Sequence, residues 1–153
     1  MVRFLVMIVI FSSVVPFGFG GSHGKNCNLE IAAGDMLKFD KTELAISSSC
    51  DKVTVLFSHT GKLPATVMGH NWVLSKTADV KLIASDGLAA GATNGYIKAG
   101  DERIIAATKI VGGGETVSIS FGTGQLSKTA SYTFFCSFAG HSSIMAGAFK
   151  IID

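Results

Sequence analysis

Thr116-Val117-Ser118-Ile119-Ser120-Phe121 alternates strictly between hydroxyl-bearing and apolar side chains. A period of two is the signature of a strand with one face in a core and one in water. The same rhythm recurs upstream. Val53, Val55 and Phe57 alternate with Thr54, Leu56 and Ser58, and Leu29, Ile31 and Ala33 alternate with Asn28, Glu30 and Ala32. Working outward, residues 36–39, 44–48, 130–136 and 146–152 are further short strands, and 103–111 is an apolar strand ended by Gly112-Gly113-Gly114. Eighteen glycines supply turns between them. The pattern predicts an all-β fold, an antiparallel β-sandwich. One stretch breaks the alternation. Val80, Leu82, Ile83 and Leu88 suit a short inserted helix over about 77–90, with Ser75 or Thr77 as N-cap. Residues 91–100 are a glycine-rich loop. No internal repeat, linker or second domain is visible.

The composition narrows the function. Apolar residues make up 48% of the chain and charged residues 16%, enough for a sizeable core. A net charge of +2 and the lack of a Lys/Arg cluster argue against nucleic acid as a partner. The amino terminus has the form of a secretory signal: Arg3, then the apolar run Phe4 to Phe11, then small residues around Gly18-Phe19-Gly20-Gly21-Ser22-His23-Gly24. Residues 1–24 are expected to be removed, with cleavage near Gly20 or Gly24, leaving a single domain at 25–153. The apolar run is short of the roughly 20 residues of a membrane span, so no stable membrane insertion is expected after cleavage.

Export changes the cysteine arithmetic. Three cysteines leave one over. Cys27 and Cys50 lie toward the amino-terminal end of the exported part among polar neighbours, and in an oxidising compartment they are natural disulfide partners. Cys136 then remains as a free thiol behind the apolar run Tyr132-Thr133-Phe134-Phe135, which predicts burial.

The free thiol has company. Cys136-Ser137-Phe138-Ala139-Gly140-His141-Ser142-Ser143-Ile144-Met145 puts a thiolate, an imidazole and a thioether in one short segment, and His70 lies far upstream in Met68-Gly69-His70-Asn71. Two histidines, one cysteine and a weak axial methionine are the donor set of a blue-copper electron-transfer site. Taken singly, His70 is a turn or core histidine and Met145 is core filler; the combination is more specific than its parts. Zinc would accept the same nitrogen and sulfur donors, and a Cys–His nucleophile pair uses two of them, although nothing marks an orienting Asn or an oxyanion loop.

The chain resembles the azurin family, the bacterial blue-copper proteins of the cupredoxin type. The motifs that carry the resemblance are the Cys27/Cys50 pair, Val55-Leu56-Phe57-Ser58-His59 followed by Leu63-Pro64, Val67-Met68-Gly69-His70-Asn71-Trp72-Val73-Leu74-Ser75, and Phe134-Phe135-Cys136-Ser137-Phe138-Ala139-Gly140-His141. The resemblance implies a Greek-key cupredoxin-like sandwich and one type 1 copper ion held by His70, Cys136 and His141. It implies weak axial contacts from Met145 and the Gly69 carbonyl. The backbone N–H groups of Asn71 and Phe138 are expected to point at the Cys136 sulfur. Trp72 would be a core aromatic and His59 a buried neighbour.

A partner-docking patch of Leu37, Leu63, Val67, Met68, Leu88, Phe138, Ala139, Gly140 and Ile144 is implied around the His141 ring edge. The expected function is a monomeric periplasmic electron shuttle, not an enzyme. Its partners would be exported redox proteins such as c-type cytochromes, a copper reductase or a peroxidase. A copper-delivery protein without electron-transfer duty is the alternative. Two positions depart from the family pattern: Ala139 stands where azurins usually carry proline, which loosens the ligand loop, and Ala107 stands where some have a surface histidine.

Overall fold

The computed structural model describes residues 26–153; the expected signal segment lies outside them. Eight strands form two sheets: β1 (Asn28–Ala33), β2 (Glu43–Ser47), β3 (Lys52–His59), β4 (Val73–Lys76), β5 (Ile104–Ala107), β6 (Thr116–Gly122), β7 (Tyr132–Phe135) and β8 (Ala146–Ile152). One sheet has the order β1-β3-β6, the other β2-β8-β7-β4-β5. Most pairings are antiparallel, but β1 runs parallel to β3 and β2 parallel to β8. Those two pairs join strands that no tight hairpin connects.

Alternation produces the core directly. Val53, Val55 and Phe57 are fully buried, and Leu29, Ile31 and Ala33 pack beside them from β1. Trp72, Phe134 and Phe149 meet them from the facing sheet, with Trp72 6.3 Å from Phe134 and 6.1 Å from Phe121 between ring centres. Each such side chain contributes roughly 1.5–3 kcal/mol by leaving water. The indole Nε1–H of Trp72 finds no partner among the described residues. On β6, Phe121 is buried, but Val117 and Ile119 are only half covered, because β6 is an edge strand and lacks a neighbour on one side.

The inserted helix is α2, Val80–Ala90, preceded by a 3-10 turn at Thr77–Asp79; a short α1, Ala65–Met68, was not foreseen. The second sheet explains α2. Val73 and Phe135 are buried on the sheet's outer face, and Ile83 of α2 seals them there. Arg103 ties the helix to the start of β5 with 2.6 Å contacts to both Asp86 and Asp101.

Three local expectations are corrected. Residues 36–39 are a bend, not a strand: Asp35 accepts the backbone N–H groups of Lys62 and Leu63, and only Phe39 bridges back, to Ala33. Ser75 and Thr77 do not cap the helix. Ser75 pairs with Thr133 inside β4, and the Thr77 hydroxyl lies 2.9 Å from that of Thr133. The expected strand at 103–111 is regular only over β5; beyond it, Val111 makes an isolated bridge to His70. Cys27 and Cys50 are disulfide-bonded, with Cα atoms 5.7 Å apart, and Cys136 is the free, buried cysteine among the described residues.

Candidate metal centre

Three separate pieces of chain bring the donors together at one end of the sandwich. His70 follows α1 and is held by a two-way backbone bridge, its N–H donating to Val111 and its carbonyl accepting from Val111. Cys136 directly follows β7, so its side chain emerges where the strand ends. Its N–H donates to the Met145 carbonyl, and the Met145 N–H donates to the His141 carbonyl. The ligand loop is thus laced back on itself. Gly140 allows the turn with φ of 82°, in the left-handed region that favours glycine.

The donor atoms of His70, Cys136 and His141 all lie within 4.8 Å of one another. The Cys136 sulfur is 3.8 Å from His70 Nδ1 and 3.6 Å from His141 Nδ1. A first-row ion with bonds of about 2.3 Å to sulfur and about 2.0 Å to nitrogen would set this spacing near 3.7 Å in a trigonal plane and near 3.5 Å in a tetrahedron. Both observed distances fit donors that share one such ion. His70 Nε2–H donates to the Gly34 carbonyl at 2.9 Å, which leaves Nδ1 unprotonated and aimed at the sulfur.

Burial prepares the same atoms electrostatically. It lowers the His70 pKa and brings His141 down to about 4, so both rings are neutral at pH 7. Burial pushes the Cys136 thiol up to about 11, while the backbone N–H groups of Asn71 and Phe138 reach the sulfur and pull the other way. At neutral pH the thiol therefore keeps its proton until a cation takes its place.

The residues behind the donors hold them still. Asn71 Nδ2 donates to Ser137 Oγ at 2.8 Å and Asn71 Oδ1 accepts from the Ser137 N–H at 2.9 Å, while Ser137 Oγ donates to the Gly95 carbonyl. This clip joins the residue after His70 to the residue after Cys136. His59 is buried and its ring stacks on His70 at 5.0 Å. The His59 ring bonds at Nε2 to the Met68 carbonyl and at Nδ1 to the Gly61 N–H.

Met145 is fully buried. Gly69 admits no side chain: a Cβ would stand 2.3 Å from the Ala65 carbonyl oxygen and 2.6 Å from the Ile110 side chain. Of the expected patch, Leu37, Leu63, Val67, Leu88 and Ile144 are exposed, and Met36 joins them at 61%. Sequence reasoning missed Gly34, Asp35 and Ser137. Ser137 carried a signal in standing next to a ligand; the reach of Gly34 to His70 had none.

A sandwich whose one end gathers two neutral imidazoles and a shielded thiol around one point is the framework of a small copper-binding protein. The comparisons agree. The profile of the copper-binding proteins of the plastocyanin/azurin family matches residues 25–152. The azurin of Bordetella pertussis is 51% identical over 127 residues, covering 83% of this chain and 85% of that one. Azurin-1 of Alcaligenes xylosoxydans xylosoxydans is 48% identical over 127 residues, covering 83% and 98%. Among solved structures, the azurin Az-iso2 of the methylotroph Methylomonas sp. strain J superposes with a TM-score of 0.80 at 44% identity, covering 83% of this chain and 98% of its own. The chain belongs to the plastocyanin/azurin family of copper-binding proteins.

Proposed function

We propose that the protein is a periplasmic one-electron carrier in which His70, Cys136 and His141 would hold a single type 1 copper ion, with the Met145 sulfur and the Gly69 carbonyl as weaker contacts. The observation that carries this reading is the donor triangle, buried and held by the Gly34 and Asn71–Ser137 hydrogen bonds. Bound there, copper supplies a Cu(I)/Cu(II) couple and no substrate chemistry. The residues do the rest. Laced and clipped donors move little between two charge states, which keeps the reorganisation on electron transfer small. The N–H groups of Asn71 and Phe138 draw charge from the thiolate.

His141 is 6% exposed, and its ring edge is the route in and out. Around it, Leu37, Leu63, Val67, Met68, Leu88 and Ile144, with Phe138, Ala139 and Gly140, form the docking face. A patch of this kind suits the small, brief interfaces of redox encounters. The partners are exported redox proteins such as a c-type cytochrome, a copper reductase or a peroxidase. The amino-terminal signal delivers the chain to the periplasm; among the described residues no helix is long and apolar enough to cross a bilayer. Adding copper(II) to the metal-free protein is expected to give an intense visible thiolate-to-copper band. A colourless adduct would end this reading.

A further inference from the structure

The groove beside the metal centre shares Leu88, Phe138, Ala139 and Gly140 with the docking face but extends beyond it along α2 to Val80, Lys81 and Ala84. A cleft of about 720 Å³ runs between α2 and the ligand loop. Val80, Ala84 and Leu88 form one wall, and Phe138, Ala139 and Gly140 belong to the other. This volume is that of a small-molecule site, for which about 300–1,000 Å³ is usual, and its walls mix apolar side chains with one lysine and several hydroxyls. Val80 to Leu88 rises about 12 Å along the helix, the length of a fused two-ring aromatic with one substituent. Phe138 is half-buried and already packs against aromatic rings, 4.7 Å from His141 and 5.0 Å from Tyr96 between centres. A further ring laid on it extends that cluster.

The polar groups select among aromatics. Lys81 is the one charged residue lining the cleft, and it makes no ion pair among the described residues. The hydroxyls of Ser85 and Ser142 also line it. By contrast, Ser137 and Ser143 spend their hydroxyls on the Gly95 and Gly140 carbonyls.

We propose that this groove binds a small planar aromatic anion of two fused rings, its face against Phe138 and its charge toward Lys81. Binding rests on the groove alone. Its consequence, that an occupant sits one ring away from His141 and modulates electron exchange there, rests on the electron-carrier reading.

The test uses naphthoate and its neutral analogue naphthalenemethanol as probes, followed by amide NMR shifts on the copper(I)-loaded and zinc(II)-loaded protein. Zinc fills the same donors without any redox role, so failure of the electron-carrier reading leaves the binding result standing. Saturable shifts are expected in residues 80–88 and 137–143. Naphthoate should bind about two- to fivefold more tightly than the alcohol, as one exposed charge pair allows. Lys81→Gln should erase that preference. Leu88→Asp should weaken both probes about tenfold, as expected for a charge placed in an apolar wall; Leu88 is 60% exposed, so the fold tolerates the change. Absence of saturation, shifts confined to Leu63, Val67 and Ile144, or a preference that survives Lys81→Gln would each overturn the proposal.

Discussion

The two ends of the sandwich are closed by different chemistry, and β3 connects them. It begins two residues after Cys50, where the disulfide to Cys27 fixes the chain covalently, and it ends at His59, whose ring stacks on the metal-binding His70. At the disulfide end, stability is built into the chain. At the metal end, three potential donors are buried together with only hydrogen bonds to hold them, and each is pushed by burial toward its neutral form. The first end adds stability without serving a ligand. The second gives up stability in the metal-free protein so that its donors stand ready, and it recovers that cost when an ion binds.

The contrast can be broken in graded steps. The largest effect is expected for Cys136→Ser, which should abolish the intense visible band of the copper form entirely; a band that survives would place the chromophore elsewhere. Replacing both Cys27 and Cys50 by serine should lower the unfolding free energy by about 3 kcal/mol in the chain-entropy account, for a loop with a sequence separation of 23. Denaturant titration measures this, and the position of the band should not move. If it does, the two ends are mechanically coupled.

Asn71→Ala strikes the metal end without touching a donor. It strands the buried Ser137 N–H, while the Ser137 hydroxyl keeps its bond to the Gly95 carbonyl; the cost is about 1–3 kcal/mol, and the band should shift because the neighbour of Cys136 loses its anchor. The smallest effect belongs to Asp35, whose carboxyl is held below the ordinary range by the N–H groups of Lys62 and Leu63. Its folded value is depressed, so its contribution is present above the unfolded value near about 4 and is lost as pH falls through the folded one. Asp35→Asn should flatten that acid limb in urea midpoints measured from neutral pH downward.

What the sequence made legible divides along the same line. Alternation at 53–58 and 116–121 announced the core faces, and the donor types at His70, Cys136 and His141 announced a soft-metal site. Which strands pair is not encoded in alternation, so the parallel β1–β3 and β2–β8 pairs were invisible. The bend at 36–39 looked like a strand because its residues are apolar; the carboxylate of Asp35, bonding 27 residues away to Lys62, decides the matter. Ser75 looked like a helix cap until its pairing with Thr133 claimed it. The Gly34 carbonyl that orients His70 is backbone, and no side chain announces it. Local preference was readable; contacts made across the fold were not.

The unpartnered indole of Trp72 has a consequence of its own. It is the single tryptophan of the chain, buried among phenylalanine rings and core aliphatics, with no hydrogen-bond acceptor at its ring nitrogen among the described residues. Its excited-state dipole has no hydrogen-bonding partner at the ring nitrogen to relax against. The protein therefore carries an internal optical gauge, whose emission should lie far to the blue, near that of indole dissolved in hydrocarbon, and should move to the red as soon as water enters the core.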